Sequence, residues 1–228
     1  MEIKKLRVAL DGPSGAGKST VAKAVAAKTG LIYVDTGSLY RTVGLYMARN
    51  GIDAYDTEKI IGALPQVDIK LTYEDGKQCV SLCGEQVGDK IRTEEASYYA
   101  SAVSKIPEVR RFLLEMQRSL GEAGGVIMDG RDIGTVIMPD AEIKIFMTAT
   151  VEERARRRYR EQAEKGIDVS FDEVLSSIIA RDKQDSEREA APLKAADDAV
   201  VFVNDGYTVE TSADYIVDLM REYIAKNA

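Results

Sequence analysis

A chain of 228 residues, 45% hydrophobic and 30% charged, is long enough for one α/β domain with a modest insertion, and no run approaches the roughly 18 to 20 apolar residues of a membrane span. The net charge of −7 argues against a general nucleic-acid coat, and the absence of histidine removes imidazole acid–base catalysis, histidine metal sites and Ser–His nucleophiles together. The N-terminus, MEIKKLRVAL, has neither a long apolar core nor a cleavage site, so no secretory signal is expected and the cytoplasm is the default location.

In chain order, the first predicted strand is the short apolar run Leu6–Leu10. It leads into DGPSGAGKST, where Gly12, Gly17, Lys18 and Ser19 fit the phosphate-loop pattern G-x-x-x-x-G-K-[ST]. Glycines let consecutive backbone N–H groups turn inward around an anion. The Lys18 ammonium would reach the β- and γ-phosphates, and the Ser19 hydroxyl would ligate Mg²⁺. The motif needs a helix after it, and KSTVAKAVAAKTG supplies one, with Val21, Ala22, Val25 and Ala26 on one stripe and Gly30 as the stop. Phosphates would then lie at a helix N-terminus, where the dipole favours anions. Gly12, Pro13, Ser14, Gly15, Ala16, Gly17, Lys18, Ser19 and Thr20 are therefore the candidate donor-binding residues.

A second strand, Leu31–Asp35, runs into DTGSLYR. From Val67 to Val87 the pattern is β without a crossover helix, alternating around Asp75-Gly76 as a hairpin. Cys79 and Cys83 would share one face of a strand, and two sulfurs without further ligands cannot close a zinc site. A helix over Thr93–Ser104 follows. Another opens at Pro107, with Val109, Phe112, Leu113, Met116 and Leu120 as its apolar face. Residues 63–105 read as a small insertion over the carboxyl edge of the sheet.

The third and fourth strands, Val126–Asp129 and Ile143–Met147, are separated by DGRDIGT, in which two acids flank an arginine as the chain leaves a buried strand. In open α/β sheets ligands gather outside the carboxyl ends of strands, which favours a site over a self-neutralising turn. TVEE at Thr150 and SFDE at Ser170 are predicted capping boxes. Between them, RARRRYR (154–160) admits three readings: a solvated helix face, a nucleic-acid patch, or a lid bringing arginines to a transferring phosphoryl group. On the next helix Arg181, Asp185 and Arg188 fall at i, i+4 and i+7, on one face, as a site or as a surface ion-pair ladder. Val200–Val203 is the fifth strand. Short apolar runs alternating with helices predict an α/β fold, a doubly wound five-stranded parallel sheet with one inserted α+β segment.

Taken in order and spacing, DGPSGAGKST, DTGSLYR, IRTEEAS, MDGRDIGT, DAEIKIFM, EERARRRYRE and RDKQDSEREAAPL resemble bacterial cytidylate kinase, a P-loop nucleoside monophosphate kinase, from about Leu6 to Leu193. The resemblance implies transfer of the ATP γ-phosphoryl to CMP or dCMP with Mg²⁺, in a single P-loop kinase domain (1–228). That domain would carry an enlarged monophosphate-binding insertion at 63–105 and a short lid at 152–168. It implies that Arg41, Arg131 and Arg188 hold the acceptor phosphate, and that Arg181 and Asp185 hold its sugar hydroxyls. Ser101, Arg110 and Asp132 would read the cytosine, with Thr36 beside the acceptor. Lys18, Arg131, Arg158 and Arg188 are the catalytic candidates, with Arg154, Arg157 and Arg158 in the lid. Ser19 and Asp129 are the Mg²⁺ candidates, Asp129 through water. Nucleic acid, membrane and an obligate protein partner are not expected.

Two features bear on the alternatives. After the fifth strand, VNDGYTVETS (204–212) departs from the Ser/Thr-rich turn common in the family, near the expected adenine. A guanine-nucleotide switch would carry N-K-x-D, and none of Asn50, Asn204 and Asn227 is followed by lysine. Another small-molecule P-loop kinase and a nucleic-acid binder are the remaining rivals.

Overall fold

The computed structural model describes residues 2–74 and 77–227. The predicted turn at Asp75-Gly76 lies outside the described residues. The chain divides into two compact units, Met1–Ile32 with Ala123–Ala228, and Tyr33–Glu122.

The first unit holds strands β1 (Arg7–Asp11), β6 (Val126–Gly130), β7 (Ile143–Thr148) and β8 (Val200–Val203). Its helices are α1 (Lys18–Thr29), α6 (Val151–Glu164), α7 (Phe171–Glu187) and α8 (Val209–Lys226). Together with β2 (Ile32–Asp35), on which the division between units falls, the strands are ordered β2-β6-β1-β7-β8. The pairings of β1 with β6, β1 with β7, and β7 with β8 are all parallel. The fold is thus an α/β protein built on a five-stranded sheet. Val8, Ala9 and Leu10 of β1 and Ile127 and Met128 of β6 are fully buried, which is why these strands read as continuous apolar runs. From β1 the chain moves out to β2, returns to β6, then crosses to β7 on the opposite side. The strand order therefore reverses at β1, where ligands of open α/β sheets collect outside the carboxyl ends.

The second unit holds α2 (Thr36–Arg49), α3 (Thr57–Ala63), β3 (Ile69–Glu74), β4 (Lys77–Leu82), β5 (Glu85–Gln86), α4 (Glu94–Val103) and α5 (Pro107–Glu122). Its three strands form an antiparallel sheet in the order β3-β4-β5. Its core joins Leu39, Val43 and Met47 of α2 to Ile60, Val80, Val103, Val109 and Leu113. This unit is wider than the 63–105 insertion, because α2, α3 and α5 share that core.

Helix ends follow their chemistry. Gly30 caps α1 in the left-handed region and donates its N–H to Ala26 O at 2.8 Å. Ser170 and Glu173 form the predicted capping box. Thr150 does not: its side chain accepts from Glu153 N, but its own N–H goes to Asp205, so Glu153 has nothing to return to. Thr208 and Thr211 form a box that sequence reading missed, with threonine in place of Glu or Gln. Two other expectations shift. On α5 the buried row is Val109, Leu113, Gln117 and Gly121, and Phe112 is exposed. Cys83 lies beyond β4 with φ 49°, so it does not share a strand face with Cys79.

Candidate functional site

At the end of β1 the loop Asp11–Gly17 turns into α1 through three glycines of positive φ: Gly12 (147°), Gly15 (75°) and Gly17 (88°). A side chain at Gly12 is impossible as well as strained, since its Cβ would fall 1.9 Å from Met147 O. Lys18, the first residue of α1, folds back and donates from Nζ to Pro13 O at 2.8 Å. Burial and the neighbouring charge of Arg131 bring its pKa down, to about 7. Lys18 is only 6% exposed. Ser19 donates from Oγ to Asp129 Oδ2 at 2.7 Å, joining the start of α1 to the end of β6.

Asp11 was not singled out by its pattern, yet it anchors the loop. Its two carboxylate oxygens accept from the N–H groups of Ile133 (2.8 Å) and Gly134 (2.7 Å). Burial outweighs those two bonds and raises its pKa, to about 6. Ile133–Ile137 form a short π-helix, with Ile137 N donating to Asp132 O and Met138 N to Ile133 O. Such π-turns recur at functional sites.

The arginines gather around one carboxylate. Asp185 on α7 accepts from Arg131 Nε at 2.8 Å, and lies 3.8 Å from Arg181 Nε and 3.9 Å from Arg188 Nη1. Burial alone would raise its pKa; Arg131, Arg181 and Arg188 together hold it below the usual carboxylate value. Arg188 also lies 3.6 Å from Asp132 Oδ1 and donates from Nε to Ala191 O at 2.6 Å. Ala191 has φ 52°, a strained conformation for a residue with a Cβ. With Asp185 2% exposed, the surface-ladder reading of this helix face is overturned.

The basic run is equally resolved. Arg154 and Arg157 turn inward onto the phosphate loop, and Arg158 pairs with Glu161 at 3.2 Å with 38% of its side chain exposed. They do not form a continuous basic stripe. A cleft of about 390 Å³ beside the loop is lined by Gly15, Thr20, Arg158, Tyr207, Val209 and Ser212. The atypical segment 204–212 therefore borders the phosphate loop, and Tyr207 stands edge-on to Phe202 with ring centroids 5.1 Å apart.

Within the second unit, Arg41 pairs with Asp35 Oδ2 at 2.6 Å, and its buried Nε has no hydrogen-bond partner among the described residues. Asp35 also caps α2 by accepting from Ser38 N. Gln78 of β4, for which the sequence carried no signal, clasps this corner: it accepts from Asp35 N at 2.7 Å and donates to Ser38 Oγ at 2.7 Å. Thr36 is buried at the first position of α2. Arg110 lies over the Tyr40 ring at 5.5 Å and donates to Ser104 O, and Ser104 in turn bonds Ser101 O. No helix of the described residues is long and apolar enough to cross a membrane.

Comparison with known proteins agrees with this geometry. The family model described as cytidylate kinase matches residues 8–224. The chain is 48% identical over 222 residues to the cytidylate kinase of Caldicellulosiruptor bescii, covering 97% of this chain and 98% of that one. It is 46% identical over 220 residues to the cytidylate kinase of Bacillus subtilis, covering 96% and 98%. A solved structure of an uncharacterized protein from Eubacterium ventriosum superposes with a TM-score of 0.52 at 12% identity, covering 96% of this chain and 99% of that one, which speaks to the fold alone. With a family match over nearly its whole length, and relatives at 46–48% identity over 220 or more residues, the chain belongs to the cytidylate kinase family.

Proposed function

We propose that the protein transfers the γ-phosphoryl group of ATP to CMP or dCMP, giving ADP and CDP or dCDP, by direct in-line transfer. The observation that carries this reading is the gathering of Arg131, Arg181 and Arg188 within 4 Å of the buried carboxylate of Asp185. Phosphoryl transfer spreads negative charge over the equatorial oxygens, and a protein catalyses it by positioning and neutralising. An enzyme without histidine does this with lysine and arginine.

The loop Gly12–Thr20 would hold the donor phosphates on its amides, with Lys18 following the transferred group. Arg131 and Arg188 would neutralise the acceptor phosphate, and Arg158 would add charge from the lid read at 152–168. Asp185 would accept from a sugar hydroxyl with Arg181 beside it, and Asp132 would face the base. In the second unit, acceptor roles for Thr36, Arg41, Ser101 and Arg110 rest on the resemblance. The partnerless buried Nε of Arg41 supports an anion there. The 63–105 segment remains our reading of the monophosphate-binding insertion.

Ser19 Oγ would hold Mg²⁺, with Asp129, hydrogen-bonded to that hydroxyl at 2.7 Å, reaching the ion through water. Hard oxygens suit that ion, which takes one or two protein ligands and completes its shell with water and phosphate. Among the described residues no group of three His, Cys, Asp or Glu side chains could hold a metal by itself, in keeping with a site completed by substrate. When bound, the ion neutralises charge on the donor phosphates. Small nucleotides as the only partners, and the cytoplasm as the location, belong to the same reading.

The test is an ADP-release assay with ATP, Mg²⁺ and each common ribo- and deoxynucleoside monophosphate. CMP and dCMP should give the highest kcat/KM. Equal or better use of AMP or GMP would overturn the assignment.

A further inference from the structure

Two carbonyl groups of the phosphate loop are held from outside by arginines of α6. Arg154 Nη1 donates to Ser14 O at 3.0 Å. Arg157 Nη1 donates to Ala16 O at 3.3 Å, where Asn204 Nδ2 adds a second bond at 3.0 Å. The two arginines are three apart on the helix and so share a face. Their remaining donors are committed as well. Arg154, which is buried, donates from Nε to Ala149 O and grips both oxygens of Asp182 at 3.0 and 2.5 Å. Arg157 donates to Glu153 Oε1, Asn204 Oδ1 and Asn204 O.

A trans peptide is planar, with its C=O and N–H pointing opposite ways. Turning Ser14 O towards Arg154 therefore turns Gly15 N–H away from α6, and turning Ala16 O towards Arg157 does the same for Gly17 N–H. Both glycines sit at positive φ, the conformation that lines up successive amides into an anion-binding nest. The loop lies against the helix: a Cβ on Gly15 would meet Arg154 Cβ at 3.1 Å and Arg154 O at 3.2 Å.

We propose that Arg154 and Arg157, with Asp182 and Asn204 holding them, are positioning residues that pre-set the phosphate loop for the donor polyphosphate. They are not phosphoryl-contacting lid arginines, because reaching a phosphoryl group would mean abandoning the carbonyl and carboxylate bonds they already make. This rests on the reading of the loop as the donor site. It assigns to the start of α6 a part in donor affinity and leaves Arg158, whose side chain is 38% exposed against 24% for Arg157 and 5% for Arg154, as the lid arginine of this group.

The experiment is calorimetric titration of the full chain, Mg²⁺ present, with ATP and separately with inorganic tripolyphosphate, for wild type, Arg157→Met and Arg157→Lys, alongside thermal unfolding and the KM for CMP. Arg157→Met carries the test because truncating the buried Arg154 risks the fold itself. Both Kd values should rise by the same factor, about tenfold, the scale of one charged hydrogen bond. KM for CMP and the Tm should barely move. Arg157→Lys should also weaken both ligands, since an ammonium cannot span Ala16 and Asn204 together. Three results would overturn the proposal: loss confined to ATP, meaning that Arg157 reads the nucleoside; full binding in Arg157→Lys, meaning that charge alone matters; or unchanged Kd values in Arg157→Met. A wild-type protein that binds neither ligand would instead sink the donor-site reading beneath it.

Discussion

Arg131 donates from Nε to Asp185 Oδ2 at 2.8 Å, and the carboxylate that receives it is 2% exposed. Asp185 thus bonds one guanidinium directly and lies within 4 Å of two more, with its own carboxylate shielded from water. Removing one partner of such a cluster strands the others' charge. Asp185→Ala should cost ~3–5 kcal/mol of unfolding free energy, the range for breaking a buried pair. An exposed helix pair would cost only ~0.3–0.5 kcal/mol. Urea denaturation separates the two, and CMP saturation kinetics on the same protein should show kcat/KM down by about two powers of ten with ATP binding nearly intact.

The same carboxylate gives a signed pH dependence. Its folded pKa is depressed below the ordinary value of 3.8 by the arginines. The folded state therefore binds the proton less readily than the unfolded chain. The stabilisation is fully present above the unfolded pKa and is lost as pH falls through the folded one. Asp185→Asn has no charge to lose. The stability gap between wild type and Asp185→Asn should be widest from pH 5 upwards and should narrow as pH falls below about 4. A gap that stays constant down to pH 2.5 would remove the arginine cluster as its cause.

Two helical glycines should respond to alanine with opposite sign. A Cβ on Gly44 of α2 would stand 2.7 Å from Tyr99 Cβ and 3.1 Å from Ala100 N, so the close approach of α2 and α4 depends on its absence. A Cβ on Gly62 of α3 would meet nothing within 4 Å. Alanine improves helix propensity at both sites by up to ~1 kcal/mol. At Gly44 overpacking of ~1–3 kcal/mol outweighs that gain, because one of the clashing groups is backbone. Gly44→Ala should therefore lower the Tm and Gly62→Ala should raise it. A stabilised Gly44→Ala would mean that the two helices separate at no cost.

The central strands β1 and β6 were legible because strands buried on both faces must be apolar throughout, while the edge strands β2 and β8, which expose Ile32, Val200, Val201 and Val203, were legible as short apolar, largely β-branched runs; each of the five runs falls within a residue of its strand. The phosphate loop was legible because three positive-φ turns and a close carbonyl leave little but glycine possible. Contacts made across long chain separations were not. Gln78 reaches Asp35 and Ser38 from 40 or more residues away, and nothing in the alternation of β4 marks that glutamine over its neighbours. The Thr150 box failed for the same reason: Asp205, 55 residues on, takes the N–H that Glu153 needed. The i, i+4, i+7 spacing correctly put Arg181, Asp185 and Arg188 on one face, but spacing cannot tell an outward face from a buried one. The arginines of the basic run were read as lid charges because no local pattern shows that Ser14 and Ala16 present carbonyls to them.

Lys18 allows function and stability to be pulled in opposite directions by one substitution. Its ammonium is buried, and burial together with Arg131 disfavours its charge. Carrying that charge in the ligand-free protein is a cost that the donor phosphates would offset on binding. Lys18→Met keeps an unbranched apolar stem one atom shorter than the lysine and removes the charge. Against that gain stands Pro13 O, which loses the hydrogen bond from Lys18 Nζ. A buried charge replaced by an apolar group of similar shape commonly stabilises by ~1–4 kcal/mol, and an unsatisfied carbonyl returns ~1–3 kcal/mol. At pH 6, where the wild-type lysine is charged, the net expectation is a rise of ~1 kcal/mol in unfolding free energy. Catalysis should move the other way. Loss of one preorganised charge at the transferring group costs at least ~10²-fold in kcat. Chemical denaturation and turnover with saturating CMP, run on the same preparation, check both halves. A Lys18→Met protein with wild-type kcat would show that the loop is not the donor site, and one that is inactive because it unfolds would show that the buried ammonium supports the fold.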